Sequence, residues 1–192
     1  MLDRTRASQA DGRTTSRWLL PLLLTLFFLS GFCALIYQTL WLRLLALAFG
    51  VTVYAASTVL ASFMSGLAIG SLAAGFVAER TKHPLRLFGI AELLVGLTAL
   101  LTPWALDTVT GLYLEWYPSL AGDIGRLTLV RFLLSFSVLL LPTVLMGSTL
   151  PLVLKSALGG SRDVGQRIGL LYGINTTGAI VGAVLAGFVL VP

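Results

Sequence analysis

The chain has 192 residues, of which 57% are hydrophobic and 11% charged, with a formal net charge of +5. A soluble domain carries about 25% charged residues; too few polar groups remain here to cover a water-facing surface, so lipid must cover most of it. The basic residues fall in short clusters between apolar runs instead of along one face, which excludes a nucleic-acid surface and marks them as topology signals.

The first 17 residues are polar and rich in Ser, Thr, Arg and Gln, and read as a disordered cytoplasmic tail. A bilayer core needs roughly 20 apolar residues in helical form, and the runs that follow predict five spans, at about residues 19–42, 51–78, 87–106, 127–154 and 168–191. The first is uncharged between Trp18 and Trp41, aromatic anchors for the two interfaces. Within it, Ser30-Gly31-Phe32-Cys33 is no lipoprotein cleavage site, because bulky Phe32 precedes the cysteine. The apolar run also continues too far for a cleavable signal peptide. Cys33 is the single cysteine, so neither an internal disulfide nor a cysteine-based metal site can form.

A short break at Gly50 separates the second span. The single histidine, His83, lies in the basic turn that follows it and reads as a solvated loop residue. The third span carries one acid, Glu92. Beyond it, Asp107 to Asp123 holds three acids and no base, together with Tyr113, Trp116 and Tyr117. With Trp104, these rings fit the headgroup level, on a short interfacial helix. The fourth span includes Arg131, which snorkels toward the outer interface at the depth of Tyr37 and Gln38, and bends at Pro142.

Basic residues set the orientation. Arg4, Arg6, Arg13 and Arg17 precede the first span; Arg80, Lys82 and Arg86 lie between the second and third; Lys155, Arg162 and Arg167 lie between the fourth and fifth. The opposite loops hold Arg43 and Arg126. This alternation puts the amino terminus and the second and fourth loops in the cytoplasm. An odd number of spans then leaves Pro192 outside, directly after an apolar helix, as in the front portion of a longer protein.

Small residues recur at helix-packing intervals: Gly66 and Gly70 in the second span, and Gly165, Gly169, Gly173, Gly178 and Gly182 before and within the fifth. Such positions let backbones approach where lipid tails offer no hydrophobic drive. Glu92 is the residue hardest to bury, since a charge near the bilayer centre costs on the order of 2.5–3.5 kcal/mol. Counting depth from the cytoplasmic ends puts Ser71, Ser148, Asn175 and Thr176 level with it. This polar layer is either a structural hydrogen-bond cluster or a proton or cationic-substrate site.

Three stretches resemble a known family. They are Ser30-Gly31-Phe32-Cys33-Ala34-Leu35-Ile36-Tyr37-Gln38-Thr39-Leu40-Trp41 with Gly50-Val51-Thr52-Val53-Tyr54-Ala55, then Leu145-Met146-Gly147-Ser148-Thr149-Leu150-Pro151, and Gly169-Leu170-Leu171-Tyr172-Gly173-Ile174-Asn175-Thr176-Thr177-Gly178-Ala179. Together they are similar to the membrane half of bacterial fused MFS/spermidine synthase proteins. Gly75, Glu79 and Arg80 resemble the loop motif of major facilitator transporters in a degenerate form, since Lys82-His83-Pro84 interrupts it. The resemblance implies an all-α, MFS-like partial bundle in the bacterial inner membrane. It also implies a cytoplasmic aminopropyltransferase-like domain after the membrane helices, whose glycine-rich loop and polyamine-gripping acids these residues lack. No catalytic residue, cofactor or metal ligand is assigned. The expected role is to place such an enzyme at the membrane and to move polyamines; a transporter half or a structural anchor without enzyme activity is the alternative.

Overall fold

The computed structural model describes residues 2–49, 53–120, 122–158 and 163–190. The motif residues Gly50, Val51 and Thr52, the loop base Arg162, and Val191 and Pro192 lie outside them, as do the side chains of Trp18, Tyr54 and the tail arginines. The described residues form five α-helices and no strand: α1 (Leu2–Phe49), α2 (Val53–Arg80), α3 (Pro84–Leu120), α4 (Ile124–Leu158) and α5 (Val164–Leu185), with α5 closing in a π-helical turn, Ala186–Leu190. All five are long and apolar enough to cross a membrane. Only 17–33% of the residues in each apolar window are buried, and Phe188, Leu93, Leu100 and Leu72 are largely exposed. So much bare hydrocarbon on helices whose backbone bonds are satisfied internally requires lipid around it. The protein is a multi-pass membrane protein.

The helices outrun the predicted spans. The tail read as disordered continues α1 back to Leu2; extending a helix already nucleated adds one bond per residue fixed and needs no second nucleus. The predicted short interfacial helix is instead the upper part of α3, which runs unbroken through Pro103 and Pro118. At 37 residues α3 is about 55 Å long against a hydrocarbon core of about 30 Å. The reason is a stripe at helical spacing, Thr102, Leu106, Val109 and Tyr113, buried or half-buried on one face. Leu106, Val109 and Tyr113 join a core with Leu139 and Met146 of α4. The acids Asp107 and Glu115 point away from it, exposed.

Two aromatic rings assigned to the membrane surface are in the core, and a half-buried arginine assigned there is bonded to one of them. Trp41 is buried, stacked on Tyr37 with centroids 5.8 Å apart and tilted against Phe63 of α2 at 6.4 Å. The ring faces the neighbouring helix and not the bundle surface. Tyr113 is buried as well, and Arg131 does not snorkel: its Nε and Nη2 donate to the Tyr113 hydroxyl at 3.1 and 2.8 Å, with the guanidinium carbon 5.4 Å from the ring centroid. Trp104, Trp116 and Tyr117 remain exposed.

Glycine seams set the helix partners. A Cβ on Gly66 would strike Thr143, one on Gly70 the Val144 carbonyl, and one on Gly147 the Leu67 carbonyl, so α2 and α4 run side by side and parallel. Gly178 and Gly182 meet the carbonyls of Phe28 and Phe32, which seats α5 parallel to α1. The predicted packing role holds for Gly66, Gly70, Gly178 and Gly182. Nothing approaches Gly165, Gly169 or Gly173 within 4 Å, because their face of α5 is exposed. α3 packs mainly on α4, while α1 touches α2, α3 and α4 only sparingly. The bundle is thus an α1–α5 pair leaning on an α2–α3–α4 group.

The turn between α2 and α3 is tight. Three residues, Thr81 to His83, join α2 to α3, and the Thr81 hydroxyl accepts from the His83 amide at 3.2 Å. Asp123 opens α4: its Oδ1 accepts from the amides of Gly125 and Arg126 at 2.9 and 3.1 Å, as an N-cap does. Arg167 of α5 donates to the Ala157 carbonyl at 2.8 Å, satisfying one of the open acceptors at the end of α4.

Candidate functional site

Two apolar clusters stack along the bundle. One gathers Trp41, Leu45, Val59, Phe63, Leu139 and Met146; the other gathers Leu23, Phe27, Phe88, Leu152, Val153 and Leu171. Between them, where the α1–α5 pair meets α2 and α4, lies a cavity of about 230 Å³. Its apolar wall includes Phe27, Phe63 and Met146, and its polar groups are Ser30 of α1, Ser71 of α2, Thr149 of α4, and Tyr172 and Asn175 of α5. No lysine, arginine or histidine lines it.

Most hydroxyls in this bundle are committed to their own helix. Those of Thr39, Thr98, Thr102, Ser137, Thr143, Ser148, Thr149, Ser156, Thr176 and Thr177 each donate to a carbonyl three or four residues back, the usual way to satisfy a hydroxyl inside a membrane helix. Ser30, Ser71 and Asn175, which line the cavity, make no such bond, and neither do Ser65 and Ser135 elsewhere in the bundle. This leaves the side chains of Ser71 and Asn175 free of their own helices at a gap between helices, where an apolar lining would have sealed it. A mostly apolar concavity with a few convergent polar groups has the anatomy of a small-molecule site.

The five predicted members of the polar layer separate accordingly. Ser71 and Asn175 face the cavity. Glu92 stands just behind it, next to Ser30 of α1, and its Oε1 is buried with no hydrogen-bond partner. Phe88, one turn before Glu92, meets Phe27 edge-on at 6.4 Å, so α3 touches α1 along Phe27 and Ser30. The next residue of α1, Gly31, is pressed against the backbone and side-chain oxygen of Asn175. Adjacent residues of one helix therefore hold Glu92 on one side and Asn175 on the other. Ser148 does not join them, because its hydroxyl is bonded to the Leu145 carbonyl at 2.6 Å. Thr176 is exposed and bonded to the Tyr172 carbonyl at 2.9 Å. One residue is about 100° of helix rotation, so a depth count alone cannot tell Asn175 from Thr176 or Thr149 from Ser148.

Ser30, Thr149 and Tyr172 were not foreseen as site residues. Each falls within one of the three stretches singled out in the sequence, which was the available signal. The loop-motif residues lie away from the cavity. Glu79 and Arg80 are exposed in the last turn of α2, and nothing packs on Gly75 within 4 Å. No protein-family model, curated protein or solved structure matches the chain.

Proposed function

We propose that the chain is a solute-binding membrane domain of the bacterial inner membrane, with its amino terminus in the cytoplasm, serving a spermidine synthase-like fusion. In this reading the cavity takes a small amine such as a polyamine, and the helices hold an aminopropyltransferase-like domain at the cytoplasmic surface. The observation that carries the binding role is the cavity itself, lined by Ser30, Ser71 and Asn175 with side chains uncommitted to their own helices and by no basic group. An ammonium needs such hydrogen-bond acceptors and would be repelled by a neighbouring cation. The orientation rests on the basic clusters, and the fusion rests on the three sequence stretches.

The binding role is tested on the purified chain in detergent micelles by thermal unfolding with increasing spermidine. Saturable stabilisation is expected, because a ligand bound only by the folded state raises its stability by mass action. Ala179→Phe, which fills the cavity from α5, is expected to abolish that response while the unliganded protein stays folded. An equal response in the filled variant refutes the reading. So does the absence of any saturable response in the wild type, which would favour a structural anchor, a role the backbone-to-backbone glycine seams also suit. The fusion is tested by the coding sequence beyond Pro192: a soluble domain with a glycine-rich adenosyl-binding loop is expected, and a stop codon there overturns it.

A further inference from the structure

Behind Ser30 the cavity wall ends in a carboxyl with an unmatched oxygen. Glu92 Oε1 is buried without a hydrogen-bond partner, Ser30 of α1 is the hydroxyl beside the group, and Ser30 also lines the cavity. No lysine or arginine pairs with Glu92 among the described residues. A buried carboxylate with one neutral donor and no countercharge is costly, whereas a protonated carboxyl is not. We propose that Glu92 is a proton-binding site coupled, through the Ser30 hydroxyl, to occupation of the cavity by a cationic amine. This deepens the solute-binding reading and rests on it.

The coupling follows from what each group can donate. Protonated Glu92 donates its O–H to Ser30 Oγ, and the Ser30 hydroxyl hydrogen then points into the cavity, where it opposes an ammonium. When the amine enters, the carboxyl O–H bond breaks and the proton leaves to bulk water. Ser30 then donates to the carboxylate, and its lone pairs, with the Asn175 side-chain oxygen, accept from the ammonium. The ammonium seated at Ser30 thus takes the place of the departing proton, so the charge beside Glu92 does not change; the other ammonium groups of a polyamine are not balanced by this exchange.

Few other charges bear on the site. From α1, Cys33 is near Glu92, with Tyr37 one turn on. From α4, Arg131 is bonded to Tyr113, and Lys155 is exposed in the last turn. On α3 itself, Arg86 is exposed near the start of the helix. Glu79 and Arg80 of α2 are exposed at its end, and Arg167 of α5 is bonded to the Ala157 carbonyl.

The test adds spermidine to the purified chain in weakly buffered micelles and follows released protons with an indicator dye, while infrared difference spectra follow the carboxylic C=O band. About one proton is expected per bound spermidine, and affinity should weaken by up to about tenfold per pH unit on acidification. Glu92→Gln should bind without releasing a proton and without that pH dependence. Ser30→Ala should sever the two events and Ser30→Thr restore them, while Cys33→Ser should leave both intact. Proton release that survives Glu92→Gln overturns the proposal, as does binding with no release in the wild type. If spermidine does not bind at all, the solute reading fails separately. The infrared titration then decides: a Glu92 band that titrates and shifts in Ser30→Ala sustains the proton site, and one that does neither removes it.

Discussion

At the scale of single residues, the bundle distinguishes glycines that are used from glycines that are merely spaced. A Cβ at Gly178 would press on the Phe28 backbone carbonyl, which cannot rotate away, whereas one at Gly169 meets nothing within 4 Å. Gly178→Ala is therefore expected to lose about 1–3 kcal/mol by overpacking. Gly169→Ala should be neutral or slightly stabilising, since alanine is the better helix former by up to about 1 kcal/mol. Reversible unfolding in mixed micelles compares the two, and equal costs would refute the α1–α5 seam. The Arg131–Tyr113 pair makes a second case. Tyr113→Phe keeps the ring under the guanidinium but deletes the acceptor of two charge-assisted bonds. It should cost about 1.5–3 kcal/mol, and a double-mutant cycle with Arg131→Met should show coupling of similar size.

At the scale of helices, composition revealed the spans and concealed their ends. Hydropathy finds Leu87 to Leu106 because hydrocarbon is the solvent there, but it loses α3 above Leu106, where Asp107 and Glu115 lower the average. The buried stripe through Thr102, Leu106, Val109 and Tyr113 continues regardless, since packing on α4 depends on one face and not on the mean. The same limit explains Trp41. An aromatic at the edge of an apolar run reads as an interfacial anchor, and only the partner Phe63 on α2 reveals a core residue. The site was half legible for a related reason. Depth can be counted along a chain, and it brought Ser71, Glu92 and Asn175 to one level; the face each residue presents depends on the neighbouring helix. Hydrogen exchange checks the α3 extension. Amides of Asp107 to Tyr117 should exchange far more slowly than those of the Thr81–His83 connection, and equally fast exchange would mean a loop.

At the scale of the whole molecule, the partners and directions of the helices are mutually consistent. Parallel α1–α5 and α2–α4 seams, with the hydrogen bond that ties α3 to α4 in a hairpin, put the start of α1, the α2–α3 turn, the end of α4 and the start of α5 on one face. That face is the basic one: Arg80, Lys82, Arg86, Lys155 and Arg167 all belong to it, whereas Asp123 marks the opposite face. Short basic connections are retained on the cytoplasmic side during insertion, so the bundle geometry and the charge pattern jointly predict the topology. Cys33 is the single cysteine, so Cys33→Ser gives a background in which one introduced thiol reports one position. His83 and Asp123 are both exposed at connections. In intact cells, a membrane-impermeant maleimide should label Asp123→Cys and leave His83→Cys untouched until the membrane is permeabilised. The reverse pattern would invert the protein and move any enzyme attached to it out of reach of cytoplasmic substrates. Labelling of both positions in intact cells would break the alternation of helices on which the cavity between α1–α5 and α2–α4 depends.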